Sequence, residues 1–209
     1  RWFKPWNSVL EGGKWFVNGE TNIAHNVLSH EGTALIWYGE DERREITYSE
    51  LARLTERVVN VMKDKGVTRG DRVAIYMPNL PETIASLLAC AKMGVVYSVI
   101  FAGLGEQAVK ARIQDLSPKL VLTTRYTQRR GQRIPLLGGD VTLERNLTPW
   151  EDDFTLPERI EANDPLVIMY TSGTTGRPKG IVLPHGSWMV GHYTVFDIVF
   201  SLRPGDVVF

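Results

Sequence analysis

From residue 72 onward, short unbroken apolar runs alternate with longer stretches in which apolar positions recur every three or four residues. The runs at 72–77, 95–101, 119–123 and 166–171 read as strands buried on both faces. Between them, 81–94 (Ile84, Leu87, Leu88, Ala91) and 106–116 read as amphipathic helices, the first entered at Pro81 and left at Gly94. Upstream, 34–38 and 44–48 are β-rich runs joined by the charged turn Gly39-Glu-Asp-Glu42, a hairpin pattern. Thr47 and Glu50 then form a capping box, Ile46 and Leu51 a hydrophobic staple, and Leu51, Leu54, Val58 and Met62 share one helical face that ends at Gly66. The pattern predicts the α/β class: a parallel sheet flanked by helices, with right-handed crossovers, preceded by an N-terminal arm and hairpin.

Outside this alternation the chain reads differently. Residues 1–30 have no period but carry Trp2, Phe3, Trp6, Trp15 and Phe16, an arm whose aromatics must pack on something. Basic residues do not interleave them, so a base-stacking platform is disfavoured. Residues 138–165 hold Gly, Pro and acids without period and read as a surface connection. A Gly/Thr/Ser loop, a strand at 180–183 and an apolar helix at about 186–200 follow. The expected units are therefore 1–48 (arm and hairpin), 49–137 (a βαβαβ subdomain), 138–165 (connector) and 166–209 (the start of a second subdomain). The chain begins at Arg1 and stops at Phe209, just as Arg203-Pro-Gly-Asp206 reads like a turn entering a strand, so it is expected to be cut at both ends.

Composition sharpens this picture. The chain has 209 residues, 43% hydrophobic, with 24 Lys plus Arg against 24 Asp plus Glu, which is enough apolar content for a folded core and excludes a disordered protein. Zero formal charge removes the global basic field of a nonspecific nucleic-acid binder. It conceals segregation, however: seven Lys or Arg at 110–133 face Asp115 alone, while six acids at 150–165 face only Arg159. A lone Cys90, in the setting of a buried helix thiol, excludes a disulfide framework and a Cys-based zinc site and suits a reducing cytoplasm. His25, His30, His185 and His192 lack metal-ligand spacing. The start has no secretory signal pattern, and the apolar stretch 93–104 is too short to span a membrane.

The densest chemistry lies at Tyr170-Thr-Ser-Gly-Thr-Thr-Gly-Arg-Pro-Lys-Gly180. Four hydroxyls, two glycines free to take positive φ and one ammonium make a cradle for a polyphosphate. The loop is not a Walker A, because Pro178 stands where Gly-Lys-Ser/Thr is required and a strand follows in place of a helix. The plainer reading is a Gly/Thr-rich hairpin loop with an exposed lysine.

As an ordered string, this segment resembles the signature loop of the acyl-adenylate-forming superfamily. Trp15-Phe-Val-Asn-Gly-Glu-Thr-Asn22, Ile46-Thr-Tyr-Ser-Glu-Leu51, Gly70-Asp-Arg-Val-Ala-Ile-Tyr-Met-Pro78, Ser98-Val-Ile-Phe-Ala-Gly103 and Asp164-Pro-Leu166 look like its acetyl-CoA synthetase branch. The resemblance covers nearly the whole chain and implies the N-terminal part of a longer enzyme. It implies an AMP-forming ligase in which a small carboxylic acid reacts with ATP and Mg2+ to give acyl-AMP, and CoA then takes the acyl group. It carries ATP-phosphate binding onto Thr171, Ser172, Gly173, Thr174, Thr175, Gly176 and Lys179, with Lys179 also catalytic, and leaves Arg177 where many relatives have Lys. CoA binding is carried onto Phe101, Ala102, Gly103, Arg129, Arg130, Gly131 and Gln132. Gln132 departs from the family's usual Arg, and Arg130 and Arg133 are nearby cations that could compensate.

Set against this, 125–133 reads equally as a solvated charged loop. All four histidines read as structural, and for His185, just past the loop strand at a family-typical His position, the resemblance leaves open a packing or hydrogen-bond role near the nucleotide. It implies that a further helix and strand of the family are missing at 137–141, either as a natural deletion or because residues are absent from this sequence, and that the acyl pocket, adenine contacts and C-terminal domain lie beyond Phe209. The implied enzyme is cytoplasmic, binds neither nucleic acid nor membrane and is inactive as this fragment, and no metal-ligating residue is singled out in this chain. Two other readings stay open: a non-catalytic nucleotide- or CoA-binding truncated paralogue, and an adenylation domain that loads a carrier protein.

Overall fold

The computed structural model describes residues 1–143, 155–171, 178–203 and 205–208. Chain order begins with the hairpin β1 (Ser8–Glu11) and β2 (Lys14–Val17), then β3 (Glu20–Thr21), α1 (Ile23–Leu28), β4 (Thr33–Tyr38), β5 (Arg43–Thr47) and α2 (Tyr48–Asp64). The central elements are β6 (Arg72–Tyr76), α3 (Pro81–Met93), β7 (Val96–Val99), α4 (Glu106–Leu116), β8 (Leu120–Thr123), β9 (Tyr126–Arg129), β10 (Gln132–Pro135) and β11 (Val141–Thr142). Last come β12 (Ile160–Glu161), β13 (Pro165–Thr171), β14 (Lys179–Pro184) and α5 (His185–Tyr193). The expected α/β architecture is present, with a six-stranded sheet ordered β11-β8-β6-β7-β13-β14. All neighbouring pairs are parallel except β13–β14.

Alternation along the central strands assigns each face. Val73, Ile75, Tyr97, Leu120 and Leu122 join the core beneath α1, α2 and α3, whereas Ala74, Tyr76 and Val121 join Val109 and Leu116 of α4 on the other side. The crossover from β6 to β7 thus passes over one face and that from β7 to β8 over the opposite face. Where neighbouring strands send their chains to opposite faces, a crevice opens at their carboxyl ends.

The start of α2 follows its sequence signals. The Glu50 N–H donates to Thr47 Oγ1 (3.2 Å), the Thr47 N–H donates to Glu50 Oε2 (2.8 Å), and Ile46 and Leu51 are both buried in one core. Gly66 takes φ +71°, and Gly94 ends α3 at φ +66°. The N-terminal aromatics pack on one another, Trp2 lying 4.8 Å from Trp6 and 4.9 Å from Phe16 between ring centroids.

Three stretches depart from the pattern-based reading. The basic stretch after β8 forms the hairpin β9–β10. It turns through Arg130 and Gly131, whose φ values of +52° and +72° suit a two-residue loop. Within the supposed surface connector, β11 adds a parallel edge strand: the Asp140 N–H donates to Val121 O (3.0 Å) and Asp140 Oδ2 accepts from the Val121 N–H (2.8 Å). A Cβ on Gly139 would sit 2.8 Å from Val121 O, so the close approach needs glycine there. Leu143, Ile160 and Ala162 are buried, and β12 pairs with β3. Two-residue strands are too short to show a period, which is why they read as loop. Finally, α5 passes at Thr194 into a π-helical turn (Thr194–Val199); the β-branched Val195, Ile198 and Val199 weaken α-helical geometry there.

One buried ion pair ties these layers together. Lys92 of α3 donates to Glu56 of α2, whose Oε2 accepts the Thr155 N–H (3.1 Å), and burial pushes the Lys92 ammonium down from its ordinary pKa. Beside it the buried Asn22 caps α1 and donates to Ala91 O (3.0 Å) and Glu158 O (2.9 Å). Removing one ion of such a pair strands the other charge in the interior. Lys92→Met is therefore expected to lower unfolding free energy by about 3–5 kcal/mol in urea titrations, and adding Glu56→Leu should recover most of that loss.

Candidate functional site

The crevice at the carboxyl ends of β6, β7 and β8 is a cleft of about 1220 Å³. Each segment leaving the sheet contributes one wall: Tyr76 and Pro78–Leu80 after β6, Phe101–Leu104 after β7, and Thr124 with the β9–β10 hairpin after β8. The floor is apolar, from Tyr76, Leu104, Leu136, Leu137 and Leu143, and the rim is charged, from Arg125, Arg129 and Arg133 with Glu40 and Glu106. Apolar walls with a few convergent cations suit a ligand that joins an aromatic or aliphatic body to phosphate groups.

Of the residues singled out for CoA, Phe101, Ala102, Gly103 and Arg129 line this cleft. Phe101 is 66% exposed at the mouth and folds against Gly103, where a Cβ would lie 2.5 Å from its ring. Ala102 is buried against the α4-side core. Arg130 and Gly131 form the hairpin turn. Gln132, paired with Arg129 across the hairpin, is exposed and does not line the cleft. Arg133 does line it, with its guanidinium 4.8 Å over the Tyr126 ring. Arg125, Tyr126 and the Tyr38–Glu40 turn were not singled out from sequence; the Arg130-Gly131 pair at the centre of alternating β-formers was the signal for the hairpin that gathers them.

The Gly/Thr/Ser loop begins at the same edge of the sheet. β13 runs parallel to β7, so its last residue, Thr171, lies at the carboxyl edge, where it pairs with Lys179 across the antiparallel β13–β14 ladder. A strand follows the loop, as the Pro178 argument requires. Ser172, Gly173, Thr174, Thr175 and Gly176 lie outside the described residues, as does Arg177. Thr171 and Lys179 are exposed and do not line the cleft. The Tyr170 hydroxyl donates to Asp115 Oδ2 (2.7 Å) beneath the Arg112 guanidinium, and burial together with that carboxylate pushes the phenol above its ordinary range. This bond anchors the residue before the loop to α4.

Two buried side chains lie away from the cleft. His185 sits after Pro184, which pairs with Pro165 at the amino end of β13, the end opposite to the one where the loop begins. Its side chain is buried with both ring nitrogens lacking a partner among the described residues, and burial holds the imidazole at about 4. Cys90 is fully buried, and burial pushes its thiol far above the ordinary range. Among the described residues no helix is long and apolar enough to cross a membrane.

Residues 25–209 match the AMP-binding enzyme family. The chain belongs to that family. It is 37% identical to acetyl-coenzyme A synthetase 2 of Pseudomonas putida, an alignment that covers 99% of this chain and 39% of the relative. Acetyl-coenzyme A synthetase of Salmonella typhimurium is also 37% identical, over 98% of this chain and 37% of its own length. Among solved structures, acetoacetyl-CoA synthetase from Streptomyces lividans superposes with a TM-score of 0.87 at 28% identity, over 99% of this chain and 38% of that one. The chain thus spans under two-fifths of the length of these relatives. The Pseudomonas alignment extends over 249 positions against the 209 residues here, so at least 40 positions are gaps on this side.

The His185 environment has a measurable consequence. The unfolded chain takes up a proton near the ordinary imidazole value of about 6.5, whereas the native state resists protonation down to about 4, so stability falls as pH is lowered through that window. Between pH 7 and 4 the wild type should lose on the order of 3 kcal/mol more unfolding free energy than His185→Asn, measured by urea denaturation at each pH.

Proposed function

We propose that this chain is the N-terminal part of an ATP-dependent, AMP-forming acyl-CoA synthetase for a short-chain carboxylate. One juxtaposition carries the reading: Thr171 and Lys179, the ends of a loop rich in glycine and hydroxyls, close two strands at the edge of the sheet on which the arginine-rimmed cleft opens. Family membership and relatives named as acetyl-coenzyme A synthetases support it.

In this reading a carboxylate oxygen attacks the α-phosphorus of ATP, forming acyl-AMP and expelling pyrophosphate. Lys179, Thr171 and the glycines and hydroxyls between them in sequence hold the β- and γ-phosphates, so that charge building on the leaving pyrophosphate meets a cation and hydrogen-bond donors. The CoA thiolate then attacks the acyl carbonyl and AMP leaves. Arg129, aided by Arg125 and Arg133, takes CoA's nucleotide phosphates, with Phe101–Gly103 beside the adenine. Magnesium would supply charge neutralisation to the nucleotide. Such an ion is carried chiefly by the phosphates and water, and among the described residues no group of three His, Cys, Asp or Glu side chains gathers as a separate metal site.

An arginine rim favours free CoA over a carrier-tethered pantetheine, which would leave the phosphate contacts unused. We further propose that the acid is acetate or one of similar size, that the rest of the same chain completes the site, and that the enzyme works in the cytoplasm.

In the complete enzyme, Lys179→Ala should slow ATP–pyrophosphate exchange by about 10²–10³-fold while sparing thioester formation from supplied acyl-AMP. Equal loss in both half-reactions would refute the role. Arg129→Ala should raise the KM for CoA about tenfold with the KM for ATP unmoved, as expected for one charged hydrogen-bonding group lost. A panel of acetate, propionate and 3-hydroxypropionate in the thioester assay identifies the acid.

A further inference from the structure

The β9–β10 hairpin that carries Arg129 and Arg133 pairs with no other strand among the described residues, and both its strands are largely exposed. A two-stranded hairpin is marginal on its own, so its tilt over the cleft must be set by contacts at its ends. The root is fixed by ordinary packing: the Leu136 N–H donates to Arg125 O (3.1 Å), and Leu136 and Leu137 pack on the α4-side core.

The tip is held from far away in the chain. The Gly131 N–H donates to Glu40 Oε2 (2.6 Å), and Gln128 Nε2 donates to Asp41 Oδ2 (3.1 Å). Both carboxylates belong to the β4–β5 turn, which is itself tied to the rest of the fold. The Gly39 N–H donates to Glu42 O (2.8 Å), a Cβ on Gly39 would strike the Trp37 ring at 2.6 Å, and Trp37 Nε1 donates to Asn79 O (2.7 Å) in the loop leaving β6. A continuous set of contacts thus runs from the cleft wall at Asn79, through Trp37 and the acidic turn, to the residues flanking Arg129. Each carboxylate keeps its charge, since the hairpin donors are neutral, but the bonds fix where those charges lie and make the two side chains anchors for the hairpin.

We propose that the Gly39–Glu42 turn is a latch that sets the position of the basic hairpin, with Glu40 and Asp41 as positioning residues for CoA. The proposal rests on the reading that this cleft takes CoA's phosphates, and it adds residues that the motif-based assignment leaves out.

The test uses the complete enzyme with acetate as the acid probe and compares CoA-dependent thioester formation with ATP–pyrophosphate exchange. Glu40→Ala combined with Asp41→Ala should raise the KM for CoA about tenfold, while kcat at saturating CoA and the exchange rate move by less than about twofold. Glu40→Gln, whose amide oxygen still accepts the Gly131 N–H, should recover most of the affinity when introduced in place of the alanine. If exchange falls in step with thioester formation, the turn only supports the fold and the latch is overturned. If the KM for CoA is unmoved or falls while Arg129→Ala raises it, the CoA reading stands and the latch does not. If neither variant moves it, the CoA assignment itself fails and the latch falls with it.

Discussion

The organisation of this molecule follows from having to bury both faces of a short parallel sheet. Each of β6, β7 and β8 is apolar on both sides, so helices must cover both, and consecutive crossovers are sent to opposite faces. The loops leaving β6 and β7 therefore diverge, and the space between them is the cleft. Its apolar floor is the upper end of the same cores that hold α3 and α4 in place. The site is a consequence of how the sheet is wrapped, and the arginines on its rim are additions to a shape that packing already requires.

The short connection from β8 to β11 gives those arginines their place. Neighbouring parallel strands need a crossover, and here a basic hairpin supplies one where a helix is usual. Because the hairpin is not covered by a second layer of described residues, it keeps its charged side chains at the cleft mouth, and the acidic β4–β5 turn meets it there. Within a chain of zero net charge, an acidic turn is thus brought beside a basic hairpin and bonded to its neutral donors, the Gly131 N–H and the Gln128 amide, at 2.6 and 3.1 Å. Below the sheet, the Glu56–Lys92 pair and Asn22 do similar work for a different purpose, tying α1, α2, α3 and residues 155–158 into one body.

Much of this was legible along the chain wherever a physical signal extends over a full turn or strand. Capping at Thr47 and Glu50, the stop at Gly94, the span of α4 and the strand after Pro178 each rest on local chemistry that the sequence displays directly. The edge strand β11 and the pairing of β12 with β3 were hidden, because two residues carry no period and their partners lie far off in sequence. His185 follows the loop strand closely in sequence, yet a six-residue strand of about 3.3 Å per residue carries it to the other end of the sheet, where it is buried as a structural reading of it expects.

By itself, then, the sequence determined the class of fold, the two-sided burial of its strands and the ordered loop that marks the family, since all three depend on residue types at short, fixed spacing. Only the tertiary structure decided which cations share a wall, with Arg133 facing the cleft and Gln132 turned from it. Only the tertiary structure, likewise, joined Glu40 to Gly131 across ninety-one residues. Which side chains face a common space depends on strand register and on the hand of each crossover, and neither is written in the spacing of residues along one segment.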